Sequence, residues 1–152
     1  MASNSFILPK VERAIHDALE AKAFSWGPHV NPGMSAGPLD DDQDARPDST
    51  NLPSVTCEAS SASVITPNVA TYRVNCTVHV AHGADDTNRD TAMDQAGDVF
   101  DYIFDSAFLD ALSVAGLTAF GIYQTDQSKT IKGRKWVASQ SFDVICAGST
   151  IS

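Results

Sequence analysis

At 152 residues with 43% hydrophobic side chains, the chain suits one globular domain over 1–152 with a modest core, and two full domains are excluded. Nineteen acidic against ten basic residues give a formal charge of -9, so the molecule as a whole should repel nucleic acid and anionic membrane rather than bind them. The N-terminus MASNSFILPKVERAIHDAL has neither the positive region nor the long apolar region of a signal peptide. No stretch approaches the about 20 apolar residues of a membrane span, which points to a soluble product made in the cytoplasm.

Residues 6–22 read as a first helix, with Pro9 near its start and Ile7, Val11, Ile15, Ala18 and Leu19 along one face. From Phe24 to Pro53 this periodicity ends. Five of the seven prolines, three glycines and the acidic run DDDQD make a long loop at about 24–53. Phe24, Trp26 and Met34 are large apolar residues for which a solvated linker has little use, and they are candidate partner contacts. The DDDQD run lacks the spaced glycine and closing carboxylate of a calcium loop and reads as solvated.

Two strands are expected next. Val55–Ser60 is short, and Thr71–His79 alternates strictly, with Tyr72, Val74, Cys76, Val78 and Val80 on one side and Thr71, Arg73, Asn75, Thr77 and His79 on the other. Cys57, Cys76 and Cys146 are odd in number, distant in sequence and set in apolar, strand-like surroundings, so buried free thiols are expected rather than a disulfide framework or a metal knuckle.

In VAHGADDTNRD the period switches from two to 3.6. Gly83 ends the strand, Thr87 and Asp90 resemble a capping box, and a helix follows to about Asp105. Asp85 and Asp86 then precede a helix N-terminus, where negative charge is favoured. This explains the acids without a metal. His79 and His82 would point to opposite faces if the strand ran through both, so a metal site at His79, His82, Asp85 and Asp86 is not expected.

Asp94, Asp98, Asp101 and Asp105 continue from Asp90 at spacings that fall within roughly a quarter of a helix circumference, forming one acidic stripe. Such like-charge neighbours destabilise an isolated helix by a few tenths of a kcal/mol per pair. Ala92, Met93, Ala96, Val99, Phe100 and Ile103 take the opposite, core side. A short helical extension at Phe108–Leu112 precedes two last strands, Leu117–Gln124 and Trp136–Cys146, joined by a polar loop Thr125–Arg134. Lys129, Lys132, Arg134 and Lys135 gather there, and Asp143 is the one acid after residue 127. In the last strand Val137 and Ile145 make the polar face partly apolar, which invites a partner. The resulting fold class is α+β: a mostly antiparallel four-stranded sheet packed by two main helices, in the order α-β-β-α-β-β.

No GxSxG, GxGxxG, P-loop, HExxH or DxDxDG pattern is present, so acyl transfer, nucleotide binding, zinc hydrolysis and calcium binding have no motif behind them. His16 lies on the first helix near Asp17 and Glu20, and His29 lies in the loop.

The order of elements, with LPSVTCEAS, then NVATYRVNCTVHVAHGADDTNRDTAMDQAGDVFDYIF, then FGIYQTDQSKTIKGRKWVASQSFDVICAG, resembles the tail terminators and related neck or minor tail proteins of long-tailed bacteriophages over roughly residues 6–148. The likeness is one of pattern, not of an invariant motif. It implies a structural virion protein, no enzyme and no cofactor. The protein would form a homo-oligomeric ring, typically a hexamer, at the head-proximal end of the tail. There it would stop tube polymerisation, with the tail-tube protein and the head–tail connector as partners and DNA passing through unbound. Alternatives are another neck component (connector, stopper or tail-tube subunit) and, more remotely, a cytosolic small-ligand binding domain. On the ring reading, Lys129, Lys132, Arg134 and Lys135 of one copy face Asp94, Asp98, Asp101 and Asp105 of the next, or the stripe lines the hole.

Overall fold

The structure, a computed structural model, describes residues 7–26, 29–31, 54–66, 71–83, 89–132 and 135–147. Its elements are α1 (Leu8–Lys22), β1 (His29–Asn31), β2 (Ser54–Thr66), β3 (Thr71–Gly83), α2 (Arg89–Ile103), α3 (Ser106–Val114), β4 (Ala119–Lys132) and β5 (Lys135–Ala147). The strands form one sheet in the order β1-β2-β3-β5-β4, antiparallel throughout except for β1, which runs parallel to β2 over three residues. The expected α-β-β-α-β-β order and four-stranded antiparallel sheet are therefore present. A short edge strand from the long loop and a third helix are added to them.

Helix α1 has a proline in its first turn, where a missing N–H leaves no bond unmade. It buries Val11, Ala14, Ile15, Ala18 and Leu19, the face its periodicity predicts. Helix α2 buries Ala96, Val99 and Ile103. It stops short of Asp105, whose extended backbone lets its carboxylate accept the Ala107 N–H at 3.1 Å and cap α3. At the other end of α3, Gly116 takes φ 98°, the Gly116 N–H reaches Ser113 O and the Leu117 N–H reaches Leu112 O at 2.9 Å. Leu112 and Leu117 are both buried beside this left-handed turn, which satisfies the last helical carbonyls. All three helices lie on the sheet face formed by Val55, Cys57, Val74, Cys76, Val78, Ala138, Phe142, Val144 and Cys146, and the core fills the space between the layers.

Strands β2 and β4 run further than their sequences suggest. β2 continues to Thr66 through bulges at Ser60 and Ile65, and β4 continues to Lys132 through bulges at Phe120 and at Thr125–Asp126. Where the expected polar loop would begin, the side chain of fully buried Gln140 holds the distorted strand. Its Oε1 accepts from Gln127 Nε2 at 2.6 Å and its Nε2 donates to Asp126 O at 3.2 Å. The backbone ladder thus makes a strand of residues whose side chains carry no period-two signal.

On the other side of the sheet, β1 covers only Ser54–Thr56 of the β2 edge. The next edge group, the Ala59 N–H, donates to Glu12 Oε2 of α1 at 2.9 Å, and Glu12 is buried. Glu12→Ala should therefore lower stability by about 1–3 kcal/mol, the cost of an orphaned buried donor, seen as a lower urea midpoint with an unchanged slope. Glu12→Gln, which keeps an acceptor, should lose less.

Cys57, Cys76 and Cys146 are free and buried. Burial pushes the Cys57 thiol up to about 12 from its ordinary 9.0, helped by the nearby Glu12 charge. Burial likewise raises Cys146 to about 11, against a small opposing pull from Lys10, and raises Cys76 well above the ordinary range. Folding thus favours the neutral thiols, so this contribution is complete below pH 9 and is lost as pH rises toward 11–12. The denaturant midpoint should fall across that window. At pH 8 a thiol reagent should label none of the three until the protein unfolds, and rapid labelling of the native protein would contradict the burial.

Candidate assembly surfaces

The sheet face away from the helices carries a set of polar cross-strand pairs, bounded by the buried Ala81–Val137 pair. Arg73 Nε donates to Asp143 Oδ2 at 2.9 Å and Asn75 Nδ2 donates to Asp143 Oδ1 at 3.1 Å. Ser60 Oγ donates to Asn75 Oδ1 at 3.0 Å, and the Thr77 and Ser141 hydroxyls meet at 3.0 Å. Tyr123 lies over Gly121, where an added Cβ would sit 3.2 Å from its phenol oxygen, and the Arg73 guanidinium stands 5.9 Å from its ring centre. Such pairs are the unit from which sheet stability is assembled.

One of them has the layout of a proton relay. His79 Nε2 lies 3.1 Å from Glu58 Oε1 and His79 Nδ1 lies 2.7 Å from Ser139 Oγ. A carboxylate only accepts, so Nε2 donates to Glu58 and, in the neutral ring, Nδ1 accepts the Ser139 hydroxyl proton. This geometry suits a general base. Acyl transfer also needs backbone donors aimed at a developing oxyanion. Here His79 and Ser139 are partners on the two central strands β3 and β5, each hydrogen-bonded to a strand on both sides. Their backbone N–H groups serve the ladder, and the trio acts as a lock across β2, β3 and β5.

Since β3 runs unbroken to Gly83, His82 points to the helix side, opposite to His79. Its Nε2 donates to Gln95 Oε1 at 2.9 Å and its ring stacks on Trp26 at 5.6 Å. Joint metal ligation by His79 and His82 is thereby ruled out on geometry, while Asp85 and Asp86 lie outside the described residues. Among the described residues the buried His82 Nδ1 and Trp26 Nε1 atoms have no hydrogen-bond partner. On the outer side of α1, ligand atoms of His16, Asp17 and Glu20 lie within 4.8 Å of one another, a grouping that an acidic helix surface produces without any ion.

Phe24 and Trp26 pack inward: Phe24 meets Trp26 at 5.9 Å and Tyr102 edge-on at 6.0 Å, and Lys22 Nζ stands 5.1 Å from the Tyr102 ring centre. They tie the start of the long loop to α2, which gives them an internal role. Met34, the DDDQD run and Thr87 lie outside the described residues. Asp94, Asp98, Asp101 and Asp105 are all exposed, and among the described residues none has a cationic partner. Asp105 differs from the other three in also capping α3. Lys129 is exposed on β4. Lys132 and Lys135 are placed by their backbones at the β4–β5 turn, and Arg134 lies outside the described residues. Val137 is fully buried and so offers no surface to a partner, whereas Ile145 is half-buried.

Sequence reasoning missed four exposed apolar residues at the sheet edges, Val64, Ile65, Phe120 and Tyr123. The signal for them was present in the runs SVIT and AFGIY. Apolar residues there occupy both parities of a strand, which one buried face cannot accommodate.

No protein-family model matches this sequence, and no curated protein does. Among solved structures, the chain is similar to a chain in the virion of a native gene transfer agent particle. The two are 14% identical with a TM-score of 0.48, and the match covers 93% of this chain and 96% of that one.

Proposed function

We propose that this chain is a structural protein of a phage-like virion, assembling as a closed ring in the neck and acting there as a tail terminator. The tail-tube protein and the head–tail connector would be its partners, and DNA would pass through unbound. The observation that carries the reading is the acidic stripe: four aspartates of α2 and its following turn, all exposed and without cationic partners among the described residues. A helix keeps such a face against its own repulsion when something outside the subunit answers it. Lys129, Lys132 and Lys135 are carried by β4 and β5 near their turn, on different elements from the stripe, so each subunit can offer its tip to the next subunit's stripe. The α-β-β-α-β-β order agrees with the sequence resemblance to tail terminators. Exposed ion pairs contribute only about 0–1 kcal/mol each, so they would set register and encounter rate while apolar contacts provide the affinity.

Lys132→Glu with Lys135→Glu should weaken assembly at low salt, measured as particle mass in solution, and adding Asp98→Lys with Asp101→Lys in the same chain should restore part of it. Rescue that is absent while DNA passage slows would place the stripe in the hole rather than in the contact.

A further inference from the structure

We infer that the ring of the preceding section, on which this inference rests, is closed by sheet edges: β4 of one copy pairs antiparallel with the distal half of β2, Ser60–Thr66, of the next. Among the described residues both edges of the sheet are open where they matter. β4 has no described neighbour beyond β5, while on β2 the first three residues are taken by β1 and the Ala59 N–H by Glu12, leaving Ser60–Thr66. An open edge presents unpaired backbone groups, and both edges here also present large apolar side chains. Val64 is 54% and Ile65 48% exposed on β2; Phe120 is 60% and Tyr123 55% exposed on β4.

The register places these two patches level with each other on opposite sides of the molecule. Val64 pairs with Tyr72, Tyr72 with Cys146 and Cys146 with Ala119, so one rung of the sheet runs from Val64 to the residue before Phe120. Three rungs on, Ser61, Asn75, Asp143 and Tyr123 are aligned in the same way. Even the irregularities coincide, since the bulges at Ile65 and Phe120 flank this common Val64–Ala119 rung. A neighbour joined at that level adds no step along the strands, which is the condition for a closed ring instead of a spiral filament.

Strand direction agrees. The four long strands alternate in direction from β2 to β4, so the two edges run oppositely, and a copy rotated about an axis along the strands meets its neighbour in the antiparallel sense. The contact has a natural end as well. The rung of Glu58, Thr77 and Ser141 reaches β4 at Thr125–Asp126, and there Glu58 and Asp126 of adjoining copies would repel. The joined segment is thus limited to the rungs that carry the apolar patches.

Oxidation by diamide of a Val64→Cys, Phe120→Cys double variant tests the contact. Within one subunit the two positions are separated by three strand spacings, about 14 Å, and a disulfide needs Cα atoms within about 7 Å. Any new bond must therefore join two copies, and the three native thiols are buried. The expected result is a ladder of covalent oligomers on a non-reducing gel that ends at one ring-sized species, with neither single variant cross-linking. Covalent dimers from either single variant would overturn the inference in favour of a twofold contact. If the wild-type chain forms rings by mass while the double variant, also ring-forming, gives no cross-link, the contact is wrong and the ring reading stands. A wild-type chain that stays monomeric at every concentration, with no cross-link in the double variant, overturns both.

Discussion

The antiparallel pairing of β3 with β5 is the interaction on which the rest of this molecule depends. Its rungs run without a bulge from Thr71–Ala147 to Gly83–Lys135, and every other element is placed relative to it. On one side of this pair Val74, Cys76, Val78, Phe142, Val144 and Cys146 form the floor of the core, so the helices have one place to dock. On the other side the same rungs set Thr77 against Ser141 and His79 against Ser139, close enough to hydrogen-bond. A slip of one residue would send the apolar set to the polar side and break both arrangements together, which is why the register is well specified.

The outer strands are treated differently from the inner pair. Both bend through bulges, and one bulge on each strand has a polar side chain assigned to it or next to it. Gln140 holds the Asp126 carbonyl beside the bulge of β4, and Glu12 takes the Ala59 N–H next to the bulge of β2. Glu12 and Gln140 are both buried, and a buried polar group is tolerated only where its bonds are met. Glu12 is met by a backbone N–H left over by the sheet, and Gln140 by the Asp126 carbonyl together with the Gln127 side chain. Glu12 thereby closes part of the β2 edge without lengthening it, while Gln140 ties the distorted β4 to its inner neighbour β5.

Much of the fold was legible because the inner strands and the helices carry clean periodicities. The face of α1 and the alternation of β3 could be read residue by residue, and the buried thiols followed from their apolar neighbours. The continuation of β2 past Ser60 and of β4 past Gln124 could not. These segments are edge strands whose side chains carry no clean alternation, and what makes them strands is a backbone ladder with the next strand along the chain, which the side-chain pattern does not show. The surfaces were legible as charge, since the aspartate spacing predicts a stripe that does face solvent. They were less legible as apolar contacts. Phe24 and Trp26 looked available for a partner but are held by Tyr102 and His82, and Val137 is buried. Meanwhile Phe120 looked like an ordinary strand residue, and Val64 lay beyond the expected end of its strand. Deciding which apolar residue is spare requires knowing which face and which edge it occupies, and that is a property of the pairing.

Edge pairing between copies would also determine what faces the hole of a ring. The helices occupy one face of the sheet and are much the thicker layer, so a curved wall of joined sheets takes them on its convex side with the polar ladder inward. The polar groups of that ladder are already engaged: Arg73 is paired with Asp143 at 2.9 Å, and Glu58 accepts a hydrogen bond from His79 at 3.1 Å. A wall of hydroxyls, amides and paired ions offers phosphates few free cations, and counterion release, the main source of nonspecific affinity for DNA, would be small. The aspartate stripe would then lie with the helices on the outside, away from the DNA and toward other proteins. On this geometry the aspartate stripe would serve protein contacts, and indifference to DNA would come instead from the internal hydrogen bonding of the sheet's polar face.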